Sequence, residues 1–513
     1  MIGVYDGREY HVFRSVGEFV QHILQRRYSG WKWFAHYGGR YDCNFIWDWL
    51  VERDRGIRWS FICSGSSVIR LRLQAGRNTV DLCDSYRLLP AGLRRLTETF
   101  QTKHRKWDAP DWESAEYNRD DCLALYEVLQ RWFELVGEQA ETVASTAMRY
   151  FRRHHLGRGI WRVPAEVEDA VREAYVGGRV EVFRRTLSPA KCYDVNSMYP
   201  WAMTGPVPVS YRGRVRRRVR RSGVWGVYDA EVGVPDMEYP PLPMRARKLV
   251  FPVGVWRGWF TSDELDRAEE CGSIVRVIEG HEWDTDAVLA SYVDDLWRRR
   301  QSASSDAERL VWKLLLNSLY GKFGQEPVRK VYQVDDGSEG LYPVYTSGGR
   351  PTGAAYRLVE SRAGHLLPQI AAAVTARARV RLHELLVASS PAYCDTDSVM
   401  THLDLPVSAE LGGLKLEKAA DEAEFCAPKL YRFGDRWTAK GLPDDDPELA
   451  GRYAGYGTVE YERNAGLVES LRCGRSCRRI RVVARRSPLD MPKRPWQGED
   501  GTRPWVVRGG DLY

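Results

Sequence analysis

Residues 393–398, with the sequence YCDTDS, constrain this chain more than any other stretch. An apolar lead-in and Val399-Met400 flank the two aspartates, a pattern typical of a strand–turn–strand hairpin. Because alternate strand residues point the same way, we expect Asp395 and Asp397 on one face. Neighbouring carboxylates repel each other unless a cation lies between them, and Mg²⁺ prefers oxygen ligands. Taken alone, the same six residues fit a structural Asx turn equally well.

The composition is that of an ordinary globular chain. Its 513 residues are 43% hydrophobic and 28% charged, enough for roughly three or four domains. No apolar run approaches the ~18 residues of a membrane span, and the start, MIGVYDGREYHVF, lacks the features of a secretory signal. Ten scattered cysteines indicate reduced thiols, and Cys473 and Cys477 lack the second ligand pair that zinc needs. We therefore expect a cytoplasmic protein with no membrane partner.

The net charge of +7 is modest, but arginines concentrate in residues 211–221 and 472–481. One interpretation is a solvated charged surface. The other is contact with phosphates, because a guanidinium group matches two phosphate oxygens. Charge alone favours a nucleic-acid partner only slightly.

Residues 1 to about 130 alternate strand-like and helical runs, an α/β pattern. Asp42 follows a glycine pair and opens an apolar helix, and Tyr117 and Asp121 lie four residues apart on another helix. Asp42 and Asp121 are either two ligands of a metal site or two acids that the helix dipole stabilises.

The centre of the chain carries a second set of motifs. Tyr175-Val-Gly-Gly-Arg179 forms either a tight surface turn or a site of close backbone approach. Asp194 ends an apolar strand, and Tyr199 follows it just before Pro200. On a predicted helix over 307–320, polar side chains recur every three or four residues; these are Arg309, Lys313, Asn317 and Tyr320.

Together these residues supply the parts of two-metal phosphoryl transfer. Asp194, Asp395 and Asp397 are acids able to hold metal ions, and Arg309 and Lys313 are cations able to hold phosphates. One ion activates an attacking hydroxyl group while the other neutralises the leaving pyrophosphate.

On these motifs the chain resembles the family-B DNA polymerases. Residues 194–200 (DVNSMYP) and 393–398 resemble the two palm motifs, residues 313–321 (KLLLNSLYG) the fingers motif, and Lys429-Leu-Tyr431 the K-x-Y motif. All four occur in the family's order. The chain is most similar to the protein-primed branch of phages, adenoviruses and linear plasmids and to its primer-independent relatives. The stretches after Pro200 and after Gly324 are long enough for that branch's two insertions.

The resemblance implies a multidomain α/β and α+β fold. It consists of a right-hand polymerase, with palm, fingers and thumb, preceded by an RNase H-like exonuclease-type domain. The expected divisions are an exonuclease-like domain at 1–140, a linker with the YxGG motif at 141–189, a palm at 190–440 and a thumb at 441–513. Within the palm we expect an inserted subdomain at about 205–290, fingers at about 291–325 and a second insertion at about 328–365.

The resemblance also implies roles for individual residues. The catalytic acids are Asp194, Asp397 and, close by, Asp395; two Mg²⁺ ions, replaceable by Mn²⁺, bind Asp194, Asp397 and the Val195 carbonyl. The incoming deoxynucleoside triphosphate is expected at Tyr199, Arg300, Arg309, Lys313, Asn317 and Tyr320, with Tyr199 excluding a 2′-hydroxyl. The DNA template and primer are expected at Tyr175, Gly177, Gly178, Lys429 and Tyr431.

The N-terminal part departs from the family. Asp42, Tyr117 and Asp121 match its second and third exonuclease motifs, but the first motif, D-x-E, is missing and Tyr37 stands where asparagine is usual. We therefore predict a polymerase without 3′–5′ exonuclease activity, serving a phage or mobile element in a bacterial host. The alternatives are a catalytically impaired nucleic-acid-binding relative, a reverse transcriptase, which Thr396 between the two acids disfavours, and a nuclease. Priming by a terminal protein, by a 3′ end or without a primer stays open.

Overall fold

The computed structural model describes residues 1–51, 56–65, 67–107, 114–157, 159–218, 222–346, 348–360, 363–443, 446–473, 479–486, 492–508 and 511–512. The helices are α1 Val16–Ile23, α2 Asp42–Val51, α3 Leu93–Phe100, α4 Ala115–Val136, α5 Val143–His154, α6 Ala165–Ala174, α7 Met198–Thr204, α8 Ser262–Glu270, α9 Ala290–Gln301, α10 Asp306–Phe323, α11 Pro368–Ser389, α12 Pro447–Ala454 and α13 Leu467–Cys473.

The strands of the first half are β1 Ile2–Tyr5, β2 Tyr10–Phe13, β3 Lys32–Ala35, β4 Arg58–Ser64, β5 Ser67–Ala75, β6 Asn78–Asp84, β7 Val180–Val182, β8 Thr186–Leu187, β9 Ala190–Val195, β10 Val207–Val215, β11 Val224–Val234, β12 Met244–Arg245, β13 Leu249–Val250, β14 Val253–Thr261 and β15 Ile274–Asp286. Those of the second half are β16 Val328–Val334, β17 Tyr342–Tyr345, β18 Pro351–Glu360, β19 Tyr393–Asp395, β20 Ser398–Thr401, β21 Leu414–Ala420, β22 Ala423–Ala427, β23 Leu430–Phe433, β24 Arg436–Ala439, β25 Val459–Asn464, β26 Arg479–Ala484, β27 Trp496–Gln497, β28 Gly501–Thr502, β29 Val506–Arg508 and β30 Asp511–Leu512.

A seven-stranded sheet of order β17-β18-β16-β4-β5-β6-β3 organises the N-terminal region. Strand β3 runs parallel to β6, and β4, β5 and β6 run antiparallel. Helix α2 covers the sheet with Ile46 and Trp47, and Trp47 packs edge-on against Trp59 of β4. Three of the seven strands come from residues 328–360, and Tyr332 of β16 stacks on Phe61 of β4 at 4.8 Å.

The central sheet has five strands in the order β21-β9-β20-β19-β7. Helix α11 packs on it, and most of the helix is buried, including its alanine-rich first half. The residues of α11 that pack on this sheet include Ala378, Leu382 and Leu386, whereas its first half packs against α10 and against Trp225 and Trp283. The hairpin predicted at 393–400 forms β19 and β20 in the middle of this sheet, and residues 395–398 lie half-buried at its tip.

Helices α9 and α10 form an antiparallel pair beside this sheet. Ser305 caps α10, because its side chain accepts a hydrogen bond from the Glu308 N–H. The buried face of α10 carries Val311, Leu315 and Leu319. This packing leaves Arg309 and Lys313 exposed on the opposite side.

Residues 207–286 contribute four strands to a six-stranded sheet of order β10-β15-β11-β14-β29-β30. Its last two strands belong to the C-terminal segment, since Val506 pairs in parallel with Val253. In the described part of the chain, no helix is long and apolar enough to cross a membrane. The domain boundaries given above stay predictions; these pairings add links between segments far apart in sequence.

Candidate functional site

Two carboxylates meet at the ends of neighbouring strands in the central sheet. Asp194 ends the β9 stretch, and its register partner on β20 is Ser398, next to Asp397. The Val195 N–H donates to the Asp397 carbonyl at 2.8 Å. Backbone pairing therefore brings Asp194, Val195 and Asp397 together from positions about two hundred residues apart.

The turn that carries Asp397 is held in an unusual conformation. Thr396 has a φ of +63°, which costs energy for a β-branched residue. Its N–H donates to the Arg179 carbonyl at 2.7 Å, and the Asp397 N–H donates to the Asp395 carbonyl at 2.7 Å. A Cβ on Gly178 would lie 2.8 Å from the Thr396 methyl carbon. The second glycine of the YxGG motif is thus required for the linker to pass the turn.

Asp395 has a different environment from the other two acids. Lys429 Nζ lies 2.7 Å from both of its carboxylate oxygens, and the Tyr393 hydroxyl donates to it at 3.3 Å. The Lys429 N–H in turn donates to the Tyr393 hydroxyl at 2.9 Å. Tyr431 packs tilted against Tyr393 at 5.2 Å. The K-x-Y segment therefore contacts Asp395 directly and pairs it with a cation, whereas within the described residues Asp194 and Asp397 form no ion pair.

Burial and the repulsion between neighbouring acids raise the pKa values of Asp194 and Asp397. Burial, Asp397 and Glu417 raise the pKa of Asp194 from 3.8 to about 7. Burial and Asp395 raise the pKa of Asp397 to about 6. Glu417 on β21 was not among the predicted site residues; its place on the strand paired with β9 puts it here.

This donor set fits a divalent metal ion. Two carboxylates and a backbone carbonyl are oxygen ligands of the kind Mg²⁺ prefers. Within the described residues, no group of three or more His, Cys, Asp and Glu side chains is arranged to hold a metal ion. Any ion bound at Asp194 and Asp397 would thus take its remaining ligands from outside these side chains, as from water or substrate.

Helix α10 turns its cationic face toward the acids. The charge of Lys313 lowers the pKa of Asp194, opposing the effects of burial and Asp397. Arg309 pairs with Asp306 at 3.2 Å on the exposed surface. The Asn317 amide donates to the Lys313 carbonyl at 2.8 Å, within the helix. Lys313 is therefore the cation of this face with a demonstrable electrostatic link to the acid pair.

Two tyrosines from different elements stack beside the acid pair. The rings of Tyr199 on α7 and Tyr320 on α10 lie 4.3 Å apart and nearly parallel. Arg300 of α9 donates from Nη1 to Ser197 Oγ at 3.0 Å, and Ser197 precedes α7 with a φ of +52°. The structure thus brings together the nucleotide-binding residues predicted on α7, α9 and α10.

The linker residues 175–178 contact helices α10 and α11, and neither contact was predicted from the sequence. A Cβ on Gly324 would meet the Tyr175 ring at 2.6 Å, so Tyr175 packs against the end of α10. Arg379 Nη1 donates to the Val176 and Gly177 carbonyls at 2.5 and 3.1 Å. Its other nitrogens donate to Glu264 Oε1 at 3.0 and 2.7 Å. Arg379 and Glu264 were not predicted, because nothing local marks this buried pair.

A second acid cluster lies in the N-terminal region. Burial and Asp84 raise the pKa of Asp42 to about 6, and Asp84 is an addition to the predicted set. Lys106 Nζ donates to Tyr117 and to Asp121 at 2.6 Å each. Tyr37, with a φ of +62°, stacks on Tyr86 at 4.1 Å. Asp42, Tyr117 and Asp121 thus line one cavity, in which Lys106 neutralises Asp121.

The arginine-rich segments divide between described and undescribed residues. Arg212, Arg214 and Arg218 pair with Asp284, with Glu279, and with Asp266 and Glu269 respectively. These pairs favour the charged-surface interpretation for that segment. Residues 219–221 and 474–478, including Cys477 of the close cysteine pair, lie outside the described residues.

The fold is that of a right-hand polymerase, with the acid pair on the central sheet and the cationic helix α10 beside it. A profile of the family described as DNA polymerase type B, organellar and viral, matches residues 110–342. The chain is similar to this family of type B DNA polymerases over that stretch, which is less than half of its length.

Two relatives and one solved structure illustrate the similarity. A probable DNA polymerase of Podospora anserina is 25% identical over 464 residues, which cover 71% of this chain and 38% of that protein. The DNA-directed DNA polymerase of Enterobacteria phage PRD1 is 25% identical over 427 residues, which cover 78% of this chain and 72% of that protein. The structure of phi29 DNA polymerase complexed with primer-template DNA and incoming nucleotide substrates matches with a TM-score of 0.71 at 18% identity, covering 93% of this chain and 94% of that chain.

The similarity is broad, but the lengths differ among relatives. The chain spans about two fifths of the length of its fungal relatives, namely 38% and 41% of those from Podospora anserina and Neurospora intermedia. At 18% identity the phi29 likeness establishes the fold.

Proposed function

We propose that the protein is a template-directed DNA polymerase that adds deoxynucleotides to a 3′-hydroxyl by two-metal phosphoryl transfer. The observation that carries the proposal is the pair Asp194–Asp397, two half-buried carboxylates that repel each other and that face the exposed Lys313 of α10. The names of the phage PRD1 relative and of the phi29 complex support it.

The proposed roles follow from the contacts of each residue. Asp194, Val195 and Asp397 would hold two Mg²⁺ ions, or Mn²⁺, which supply Lewis-acid activation and neutralise phosphate charge. Asp395, neutralised by Lys429, would orient the turn and the primer strand rather than bind metal. Lys313 and Arg309, with Arg300, would bind the triphosphate, because cations on one face of a helix match successive phosphates.

The bases and the DNA would meet the aromatic and glycine-rich parts of the site. Tyr199 and Tyr320 would separate to admit the incoming nucleotide, with Asn317 beside the new base pair. Tyr431 and Lys429 would hold the primer end, and the segment from Tyr175 to Gly178 would lie along the template.

The test is primer extension with purified protein, a primed template, deoxynucleotides and Mg²⁺. Asp397→Asn should lower incorporation by at least about 10³-fold, because the carboxylate positions charge in the transition state. DNA binding by this variant should change little, since binding depends mainly on basic residues. Asp435→Asn, at an exposed turn, is the matched control and should extend normally.

The same assay distinguishes an active polymerase from the alternative, a relative that binds nucleic acid without catalysis. DNA binding by the wild-type protein with no incorporation under any priming condition would support that alternative and overturn the polymerase proposal.

The biological role we propose is replication of a phage or mobile element in the cytoplasm of a bacterial host. Initiation then uses a terminal-protein hydroxyl, a nucleic-acid 3′ end or no primer. Comparing synthesis with and without an annealed oligonucleotide, and looking for a nucleotide linked to protein, distinguishes these three routes.

A further inference from the structure

A cavity of about 1490 Å³ lies in the N-terminal region, apart from the acid pair of the central sheet. All four residues of β1 and all four residues of β3 line it. Both strands therefore border one cavity. The backbone N–H and C=O groups that each strand presents to the cavity depend on which other strands it pairs with.

Each of these strands has a partner on one side only. Among the strands that the structure describes, β1 pairs only with β2, and β3 pairs only with β6. Each therefore presents one edge of backbone N–H and C=O groups, and such an edge is a template for another strand. Two open edges on one cavity are complementary to a strand that pairs on both sides.

The size of the cavity agrees with one strand. A strand in a sheet occupies about 160 Å³ per residue, from a ~4.8 Å strand spacing, a ~3.3 Å rise and a ~10 Å layer. At that value the cavity holds roughly nine residues, which is enough to pair with the four residues of β1 and of β3 and to leave short flanks.

The walls define the side chains that such a strand would carry. Ile46 of α2 lines the cavity, as do Leu125, Leu129 and Phe133 of α4. A strand covered by helices is apolar along most of its length. Beyond the end of β3 the wall becomes acidic, because Ala35 pairs with Asp84 and because Asp42 lies near Asp84.

We propose that this cavity, the β1–β3 groove, binds one extended polypeptide segment by strand addition. The segment has an apolar centre of four to six residues and a basic residue at the acidic end. Its backbone pairs with β1 and β3, and its end lies beside Asp42 and Asp84. A docked segment would thus control access to the N-terminal acid cluster. The proposal does not rest on polymerase activity.

The probe is a fluorescein-labelled peptide with a run of Val, Ile and Phe and lysines at both ends, added to the full-length protein. We expect saturable binding by fluorescence anisotropy. A peptide with proline in the centre should bind at least about tenfold more weakly, because proline removes a ladder hydrogen bond.

Two cysteines provide a matched pair of variants. Cys122 lines the cavity and Cys271 lies at the end of α8, and both are free and half-buried. Cys122→Trp should weaken peptide binding at least about tenfold, because the indole takes space that the strand needs. Cys271→Trp should leave binding unchanged. Undiminished binding to Cys122→Trp would overturn the proposal.

Hydrogen exchange on the wild-type protein tests the same idea without a variant. The peptide should slow exchange in residues 2–5 and 32–35 and leave the edge strand β24 unchanged. No binding, or protection elsewhere, would overturn the proposal. Protection of residues 2–5 and 32–35 by a single-stranded oligonucleotide, or by self-association at high protein concentration without peptide, would show a different occupant and would also overturn it.

Discussion

At the scale of single residues, the three palm acids have separate environments. Lys429, 34 residues further along the chain, donates to both carboxylate oxygens of Asp395, whereas Asp194 and Asp397 lie near each other and near Glu417. The sequence indicated which acids gather, because their motifs are local. It did not indicate which acid is neutralised, because that depends on how β19 and the K-x-Y segment pack together.

Sugar selection is predicted to depend on Tyr199. Tyr199 stacks on Tyr320 and directly precedes Pro200. Once the two rings separate to admit the nucleotide, the Tyr199 ring would occupy the space of a ribose 2′-hydroxyl. Tyr199→Val should raise ribonucleotide incorporation by on the order of 10–100-fold, since a clash of about 1–3 kcal/mol is removed. Single-nucleotide incorporation assays measure this ratio, with Tyr126→Val as the control. An unchanged ratio would mean that Tyr199 contributes packing and does not select the sugar.

A buried histidine predicts part of the pH dependence of stability. His383 Nδ1 accepts from Arg267 Nε at 3.0 Å, so its Nε2–H donates to the Tyr239 carbonyl at 2.8 Å. Burial and the nearby Arg179 lower the pKa of His383 from 6.5 to about 3. Folding therefore keeps the ring neutral, and this contribution is complete above pH 6.5 and is lost as the pH falls toward 3.

The test uses His383→Gln. Each pH unit below 6.5 should cost the wild-type protein up to about 1.4 kcal/mol that the variant does not lose. The stability difference between the two should therefore shrink between pH 7 and pH 5 in thermal unfolding. The exposed His402→Gln control should follow the wild type, and a constant difference for His383→Gln would contradict the prediction.

At the scale of helices and strands, local patterns gave good predictions where packing is amphipathic. Helices were predicted at 292–300, 307–320 and 368–386, and the structure has α9, α10 and α11 at Ala290–Gln301, Asp306–Phe323 and Pro368–Ser389. The pairing of β16 with β4 and of β29 with β14 was not predicted. The alternating pattern of a strand predicts which of its side chains are buried. It does not predict which other strand pairs with it, so partners distant in sequence could not be identified.

The buried pair Arg379–Glu264 is predicted to stabilise the junction of α11, α8 and the linker. Both side chains are almost completely buried. Arg379→Met should cost about 3–5 kcal/mol, because it leaves the Glu264 carboxylate without its cation. Arg276→Met, which breaks an exposed pair with Glu231, should cost less than about 1 kcal/mol.

Urea unfolding of both variants measures these costs. Adding Glu264→Gln to Arg379→Met should recover part of the loss, since the second change removes the unpaired charge while keeping an acceptor for the α8 cap. Equal costs for Arg379→Met and Arg276→Met would contradict the prediction.

At the scale of the whole molecule, the N-terminal region is joined to the polymerase core by sheet pairing and not only by the linker. Val331, Tyr332 and Gln333 pair with β4, so residues 328–360 continue the N-terminal sheet. This arrangement gives the region a structural role that does not depend on its acid cluster. The fold of this region would therefore be retained whether or not its acid cluster is hydrolytically active.

The last prediction is that the protein lacks 3′–5′ exonuclease activity. Two-ion hydrolysis needs enough carboxylate to hold metals about 4 Å apart. In this cluster Asp121 is already neutralised by Lys106 at 2.6 Å, and Tyr37 stands where the family usually has asparagine. We expect no metal-dependent degradation of labelled single-stranded DNA above background, and no change in copying fidelity on Asp42→Ala. Primer extension by the same preparation is the positive control. Degradation that disappears in Asp42→Ala protein would show that Asp84 or another acid completes the site.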